Sequence, residues 1–331
     1  MVRFNWPIIG HKKIIDYLQT VIQNDRVNHG YLFYGQNGLG KNKVADYFIK
    51  SIFCLSQDIK PCGTCSHCGQ LQKAVHADVI YLDKDEDKKN ITVEQVREMR
   101  EKVQHSSFLN SYKMVVIRDA NALSLSASNA MLKILEEPTG KTVFILIAEN
   151  LKNIPETVIS RVQAIEFLPV ARTEIERYLI SIGKGKEEAY EFSRLSAGLP
   201  DRILKLIEHK KIVAEYKDKI RKIVENLLGD INNRFNLIEK LAGQNKSESA
   251  KVEAEIFLDN LTMLVRDSFL LKNMCFNQAA NVWLQDKLSD MGNKYDNLKF
   301  VQILEKIKRT KEYIRRNVNL RLALENLMLE F

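Results

Sequence analysis

The sequence predicts an α/β domain with a buried, mostly parallel sheet, followed by two helical regions, and three observations support this fold class. Short apolar runs alternate with helical periodicity through the first half of the chain, which is typical of strands covered by helices on both faces. A glycine-rich loop follows the first of these runs and opens a helical segment, as phosphate-binding loops do. Strand patterns then end near Pro169, beyond which nearly every segment has helical spacing.

The predicted elements alternate in type along the first half of the chain. A helix at "HKKIIDYLQTVIQ" precedes the strand "HGYLFYG", and the helix "KNKVADYFIKSIF" follows the glycine-rich loop. Further strands are predicted at "DVIYL", "KMVVIRD", "TVFILIAE" and "VQAIEFLPV", with helices at "TVEQVREMREKV" and "SASNAMLKILEE" between them. We therefore divide the chain into an α/β domain at 1–169, a small helical domain at 170–209 and a larger helical domain at 210–331.

Composition and charge narrow the class of protein. The 331 residues are 45% hydrophobic and 28% charged, and no apolar run reaches the length of about 18 residues that a membrane span needs. The first residues lack the apolar core and the cleavage site of a secretory signal, so we expect a cytoplasmic protein without membrane contact. The net charge of +8 favours attraction to a polyanion such as DNA, although a merely basic protein accounts for it equally well.

The glycine-rich loop "YGQNGLGKNKVA" fits the pattern G-x-x-x-x-G-K through Gly35, Gly40 and Lys41, with Gly38 inside the loop. The glycines let backbone N–H groups point at phosphate oxygens, the helix N-terminus adds its positive end, and Lys41 reaches the β- and γ-phosphates. Asn42 stands where a serine or threonine normally helps to hold Mg²⁺. ATP or ADP binding is therefore compatible with the loop, whereas Mg²⁺ coordination is compromised. A glycine turn that binds nothing is the alternative.

The second acidic site that an ATPase of this type needs is incomplete. Such a site has an aspartate at the end of a buried strand to organise Mg²⁺, and often a glutamate beside it to activate water. The strand in "MVVIRDAN" ends with one acid, Asp119, between Arg118 and Ala120. Either Ala120 has replaced the base or Arg118 has replaced the metal-site acid. Asp119 as the cap of the following helix is compatible with both interpretations.

Four of the five cysteines lie close together in the sequence. Cys54, Cys62, Cys65 and Cys68 form the pattern C-x7-C-x2-C-x2-C. Four thiolates at such spacing close a tetrahedral Zn²⁺ site with no open position, so we predict a structural zinc ion. In a chain without an export signal, this clustering favours metal over disulfides. Unligated reduced cysteines and an iron–sulfur cluster are the alternatives.

Five motifs follow one another in a specific order: "GQNGLGK", the four-cysteine knuckle, "SNAMLKILEEP", "IPETVISRV" and "NVNLRLALENLML". Together they resemble bacterial clamp-loader subunits of the AAA+ superfamily, which belong to the DNA polymerase III holoenzyme, and the resemblance covers essentially the whole chain. It implies an AAA+ P-loop domain at 1–169 with an inserted zinc knuckle at 54–68, a helical lid at 170–209 and an all-α collar at 210–331. It also implies partners: gamma/tau and delta subunits in a hetero-pentameric ring, a sliding clamp, and primer–template DNA reached through the assembly.

Within this family the chain resembles the delta-prime type, which has generally lost hydrolysis, more than the gamma/tau motors. The motors carry Lys-Thr or Lys-Ser in the loop and an Asp-Glu pair at the second acidic site. This chain has Lys41-Asn42 and Arg118-Asp119 at those places. The family's sensor positions, at the end of "TVFILIAE" and in "AGLPDR", also match poorly. The resemblance therefore implies that the chain's own ATPase activity is absent or weak, and a gamma/tau-type motor with atypical motifs is the alternative.

One catalytic part of the family survives in "VISRV", which resembles its Ser-Arg-Cys motif with Val162 at the cysteine position. The resemblance implies that Arg161 is an arginine finger, a guanidinium that enters the neighbouring subunit's ATP site and neutralises charge on the γ-phosphate. A surface arginine before a strand is the interpretation without the family. The predicted function is support of clamp loading in replication; a stand-alone zinc-dependent DNA-binding protein is a third hypothesis.

The last helices carry two patterns whose roles the sequence leaves open. The leucines of "NVNLRLALENLML" do not form one stripe, so we expect this helix to be buried on more than one face, by core packing or by subunit contact. A basic cluster is compatible with DNA contact and, more simply, with a solvated helix surface. Its members are Lys306, Lys308, Arg309, Lys311, Arg315 and Arg316.

Overall fold

The structure is a computed structural model that describes residues 2–85, 90–104, 112–208, 210–242, 248–316 and 318–331. The chain forms two compact units. The first comprises Met1–Lys184 with Gly198–Arg202, and the second comprises Gly185–Ala197 with Ile203–Phe331. The finer division into three domains stays a prediction.

Seven strands form two parallel sheets within the described part of the first unit. The larger sheet has five strands and the smaller has two. The bounds are β1 (Arg3–Phe4), β2 (Gly30–Tyr34), β3 (Ile59–Lys60), β4 (Val79–Leu82), β5 (Lys113–Ile117), β6 (Thr142–Ala148) and β7 (Gln163–Glu166). The larger sheet has the order β4-β5-β6-β2-β7, and β1 pairs with β3. The predicted α/β fold with a parallel sheet is therefore confirmed.

The order of strands in the larger sheet follows from their burial. Every residue of β5 and β6 is buried, as expected of central strands whose two faces are both covered. The edge strand β7 has three exposed residues of four. Because β2 lies between β6 and β7, the glycine-rich loop that follows β2 begins at the end of an inner strand of the sheet.

Helices cover both faces of the sheet. Tyr31 and Phe33 pack on one face with Phe48, whereas Leu32 packs on the other with Met131, as the alternation of side chains along a strand requires. The first face is covered by α1 (Lys12–Gln23) and α2 (Lys41–Phe53), and the second by α4 (Val93–Gln104) and α5 (Leu125–Glu136). The other helices of this unit are α3 (Ser66–Gln72), α6 (Glu156–Ile159) and α7 (Arg172–Ser181).

The second unit is helical, which confirms the predicted helical region. Its core contains Phe257 and Phe300, and the buried Asp267 accepts backbone N–H bonds from Ala280 and Asn281 at 2.9 and 2.8 Å. No described helix is both long and apolar enough to cross a membrane. The helices are α8 (Lys186–Leu195), α9 (Pro200–Glu208), which begins in the first unit, α10 (Lys210–Leu228), α11 (Ile231–Ala242), α12 (Glu248–Lys272), α13 (Gln285–Lys294), α14 (Asn297–Arg315) and α15 (Leu320–Met328).

The final helix α15 packs against the core of its own unit along one face. Leu324 and Leu327 lie in the core, but Leu322 is 62% exposed and Leu329, just after the helix, is 59% exposed. The buried leucines are three residues apart and share one face, whereas Leu322 lies on the opposite face. Burial of a second face of this helix by subunit contact stays a prediction.

Candidate functional site

The glycine-rich loop connects β2 to α2 at the carboxyl edge of the sheet. Gly35, Gly38 and Gly40 have φ angles of 143°, 85° and 80°, which a residue with a Cβ rarely adopts. A Cβ at Gly35 would also lie 2.3 Å from the carbonyl oxygen of Phe167. Gly40 is the N-cap of α2 and supplies no side-chain cap. The first N–H groups of α2 therefore lack a side-chain cap there and are suited to an anion.

The side chain of Lys41 is folded onto this loop. It is buried, and its Nζ donates hydrogen bonds to the carbonyl oxygens of Gly35 and, at 2.8 Å, of Gln36. Burial lowers the pKa of Lys41, while the negative charges of Glu149 and Asp201 act in the opposite direction. The ammonium group thus bonds to neutral oxygens at the place where a phosphate would make a stronger, charge-assisted bond.

The segment Gly198–Arg202 lies against the same loop. The N–H of Asp201 donates to the carbonyl oxygen of Gly38 at 3.1 Å. A Cβ at Gly38 would meet the side chain of Leu199 at 3.6 Å, and one at Gly40 would meet Pro200 at 3.9 Å. The chain therefore covers part of its own glycine-rich loop.

The two residues that were expected to stand near Mg²⁺, Asn42 and Asp119, are both exposed. The side chain of Asp119 makes no capping bond to the short turn that follows it. The next helix, α5, is capped instead by Ser124, whose Oγ accepts the N–H of Ala127 at 3.1 Å. The interpretation of Asp119 as the cap of the following helix is therefore wrong, and its role beside a metal stays a prediction.

Arg118 is held by residues of the neighbouring strand. Its guanidinium carbon lies 4.4 Å from the ring centre of Tyr81 in β4, and its Nη1 lies 3.3 Å from Oδ2 of Asp83. A cation is thus held directly after β5, next to Asp119. Its position at the place of the metal-site acid stays a prediction.

Sequence reasoning missed Asn121, which organises the end of β6. Its Oδ1 accepts the N–H of Glu149 at 2.7 Å, and its Nδ2 donates to the carbonyl oxygen of Asn150 at 2.8 Å. Asn121 thereby fixes the backbone of Glu149, whose charge acts on the pKa of Lys41. A single asparagine in a turn belongs to no motif, so no pattern in the sequence indicated this role.

The four clustered cysteines converge in space, as their spacing predicts. The Sγ atoms of Cys54, Cys62, Cys65 and Cys68 all lie within 4.8 Å of one another, and all four cysteines are free thiols. In a tetrahedral site with metal–sulfur bonds of about 2.3 Å, the sulfurs are about 3.8 Å apart. The cluster therefore fits a tetrahedral thiolate-bound ion after a small contraction.

The surroundings of these thiols also suit a cation. Burial raises the pKa of Cys68 to about 12, so this thiol ionises at neutral pH only when a cation stabilises the thiolate. Hydrogen bonds from the backbone and the hydroxyl of Thr64 lower the pKa of Cys62 to about 6. His67 does not belong to this convergent group, and its Nδ1 lies 2.9 Å from Nε2 of His76.

Arg161 lies at the edge of the sheet opposite to the glycine-rich loop. A Cβ at Gly30, the first residue of β2, would lie 3.6 Å from the carbonyl oxygen of Arg161. The loop instead follows the last residue of β2, and five strand residues span about 16 Å. Arg161 and the glycine-rich loop of the same chain therefore belong to different sites.

The guanidinium of Arg161 is held by three acceptors. Its Nη1 donates to the carbonyl oxygen of Thr157 at 2.8 Å and to Oγ of Ser160 at 3.3 Å, and its Nη2 donates to Oε1 of Glu136 at 2.5 Å. Its backbone oxygen lies 3.0 Å from Nε2 of His29. Arg161 lines an open cleft of about 610 Å³ together with Ser160, Glu136 and His29, which leaves the arginine accessible to a ligand from outside the chain.

The parallel sheet, the phosphate-type loop after β2 and the helical region that follows define an α/β protein of the P-loop type. The family model described as "DNA polymerase III, delta subunit" matches residues 10–171. The chain is 29% identical over 257 residues to subunit delta' of DNA polymerase III from Bacillus subtilis. The aligned residues make up 77% of this chain and 76% of that relative.

Two further relatives belong to the same polymerase. Subunit delta' of Pseudomonas aeruginosa is 34% identical over 203 residues, or 60% of this chain and 61% of the relative. Subunit tau of Bacillus subtilis is 34% identical over 161 residues, or 48% of this chain and 28% of tau. Residues 10–171 thus match the DNA polymerase III delta-subunit family model, and the chain is similar to the delta', gamma and tau subunits of that polymerase.

Proposed function

We propose that the chain is a delta-prime-type clamp-loader subunit that donates Arg161 to the ATP site of a neighbouring subunit. The position of Arg161 at the sheet edge opposite to its own loop carries this proposal. An arginine at that edge serves an ATP site only on another chain, and the cleft around it is open to such a partner. Its guanidinium would neutralise the charge that develops on the neighbour's γ-phosphate.

The chain's own nucleotide site is proposed to hydrolyse ATP weakly or not at all. Lys41 bonds to the carbonyl oxygens of its loop, and Gly198–Arg202 covers part of that loop. Arg118 adds a positive charge where Mg²⁺ needs an acid. The glycines and Lys41 remain compatible with ATP or ADP, so hydrolysis is impaired more than phosphate binding.

We propose a structural Zn²⁺ ion at Cys54, Cys62, Cys65 and Cys68, supported by the convergence of their sulfurs. In such a site all four positions are taken by thiolates, and the ion would fix the segment between α2 and β4. It would take no part in ATP chemistry.

The proposed partners are gamma/tau and delta subunits in a hetero-pentameric ring in the cytoplasm. This ring would open a sliding clamp and place it on primer–template DNA, with 1–169 as the P-loop domain, 170–209 as the lid and 210–331 as the collar. The exposed Leu322 and Leu329 are the collar residues that we propose for contact between subunits.

A gamma/tau-type motor is the second candidate function. The 34% identity to tau over 161 residues and the retained loop geometry favour it. Under that hypothesis the isolated chain hydrolyses ATP, and Lys41→Ala abolishes the activity.

The decisive experiment measures the ATPase of a loader reconstituted from this chain and its gamma/tau and delta partners, with clamp and primed DNA present. We expect Arg161→Ala to leave ring assembly intact, as judged by size, and to lower the rate by about 10-fold or more, a threshold below the roughly 10³- to 10⁵-fold effects known for arginine fingers. Lys41→Ala in this chain is expected to leave the rate within about twofold, because the proposed ATP site is the neighbour's.

Arg177→Ala is the matched control for this experiment. Arg177 lies on α7 of the first unit and, like Arg161, donates to a carbonyl oxygen four residues earlier, that of Thr173 at 3.2 Å. Arg177→Ala is expected to leave the ATPase rate of the loader unchanged. An assembled ring whose rate is unchanged by Arg161→Ala would contradict the proposed function.

A further inference from the structure

The guanidinium of Arg161 is already paired with an acid of its own chain. We infer that Glu136 is a positioning residue that holds Arg161 in standby until the triphosphate on a neighbouring subunit displaces the carboxylate. This inference rests on the proposed function of Arg161. Its basis is the hydrogen bond from Nη2 of Arg161 to Oε1 of Glu136 at 2.5 Å, which joins the end of α5 to the second residue after α6.

The two amino groups of the guanidinium are held in different ways. Nη1 bonds to neutral acceptors of the adjacent turn, the carbonyl oxygen of Thr157 and Oγ of Ser160. Nη2 bonds to the charged Glu136. A phosphate oxygen is an anionic acceptor of the same kind as a carboxylate oxygen. It therefore replaces Glu136 at Nη2 while Nη1 keeps its anchor, and the arginine changes partner without losing its position.

The exposure of the pair makes this exchange easy. The side chain of Arg161 is 34% exposed and that of Glu136 is 48% exposed. Solvent weakens ion pairs at such exposure, whereas a buried pair would lock the arginine in place. A triphosphate carries more negative charge than one carboxylate, so it outcompetes Glu136 once the neighbouring subunit brings it within reach.

The stability of α5 does not explain a carboxylate at this position. Glu136 is the last residue of α5 and Glu137 is its C-cap, where the helix dipole disfavours negative charge. The charge of Glu136 is compensated by Arg161. Glu137 is exposed and makes no ion pair among the residues that the structure describes. Glu136 and Glu137 thus differ in that only Glu136 contacts Arg161.

The test compares loaders reconstituted with wild type, Glu136→Gln, Arg161→Ala and the double variant, each checked for ring assembly by size. In the absence of clamp and DNA, Glu136→Gln is expected to raise the ATPase rate about two- to fivefold, the scale that an exposed ion pair sets. The rate with clamp and DNA is expected to stay unchanged, because Arg161 is then already on the phosphate. The factor of stimulation therefore falls, a change that a merely structural role would not produce.

The double variant and Glu137→Gln complete the design. The gain from Glu136→Gln is expected to vanish when Arg161 is alanine, and Glu137→Gln, which removes the same charge one residue away, is expected to change nothing. An unstimulated rate that does not rise in Glu136→Gln, or a gain that persists in the double variant, overturns the standby role even where Arg161→Ala lowers the stimulated rate. If Arg161→Ala leaves the stimulated rate unchanged, the proposed function fails and the standby role fails with it.

Discussion

Among single residues, Tyr31 illustrates how burial in this sheet controls proton binding. It is the second residue of β2, its side chain is fully buried, and its hydroxyl oxygen accepts the N–H of Asn28 at 3.0 Å. Burial raises the pKa of Tyr31 to about 12. Because an unfolded tyrosine ionises near pH 10, the folded chain retains this proton at a pH at which the unfolded chain has lost it.

The stability that Tyr31 contributes is therefore expected to depend on alkaline pH. It is fully present below about pH 10 and is lost as the pH rises towards 12, at about 1.4 kcal/mol for each pH unit. We predict that the difference in melting temperature between wild type and Tyr31→Phe narrows over this range. Tyr17→Phe, at an exposed position of α1, is the control and should keep a constant difference. Parallel pH profiles for wild type and Tyr31→Phe would refute the prediction.

Among the elements, the segment between α2 and β4 has little apolar packing of its own, and Leu71 is its one buried aliphatic side chain. Within the cluster, Cys54 and Cys68 are buried, whereas Cys62 and Cys65 are half-buried. The regular structure around them is limited to the two-residue strand β3 and the short helix α3. The ordered form of such a segment depends on its bound metal more than on a core.

We predict one Zn²⁺ ion per chain and its loss in Cys62→Ser, because the remaining three thiolates leave the tetrahedral site open. Thr64→Ala removes the hydroxyl that lies 3.6 Å from Sγ of Cys62, and it is expected to weaken zinc affinity by about 10- to 100-fold. Metal analysis of untagged protein, followed by competition with a chromophoric chelator, measures both effects. Cys275→Ser, at the fifth cysteine, is the control. Absence of metal from the wild type would refute the site.

The elements also show which parts of the molecule were predictable. The strands β5 and β6 could be predicted, because a strand buried on both faces is continuously apolar. The thiol cluster could be predicted, because its four cysteines are close together in the sequence. The pairing of β1 with β3 could not be predicted, since strands of two residues are too short to show a periodic pattern of apolar residues. The ion pair between Arg161 and Glu136 could not be predicted either, since only the folded sheet edge brings these two residues together. Leucine content alone did not indicate which leucines of α15 lie in the core of the chain, because the position along the helix decides this.

In the whole molecule, the net charge of +8 overstates the positive surface that is available to DNA. Half of the basic cluster on α14 is paired with acids of the second unit. The pairs are Lys306 with Glu330 at 3.3 Å, Lys311 with Asp259 at 2.6 Å and Arg315 with Glu255 at 3.3 Å. A cation that already has an acidic partner releases fewer counterions from DNA. This arrangement favours a solvated helix surface over a DNA-binding face.

We therefore predict that the isolated chain binds primed duplex DNA only weakly, with a dissociation constant in the nonspecific range of about 10⁻⁴ to 10⁻⁶ M at physiological salt. The double variant Lys311→Ala/Arg315→Ala should leave the salt dependence of binding unchanged, because each lost phosphate contact would lower the slope by about 0.9. Lys308→Ala/Arg309→Ala removes two exposed cations that have no ion pair among the described residues, and it provides the comparison at equal charge. Fluorescence anisotropy at several salt concentrations measures both slopes. Submicromolar binding that is lost in Lys311→Ala/Arg315→Ala would instead support a stand-alone DNA-binding protein, since the pairs with Asp259 and Glu255 would then open in favour of phosphate.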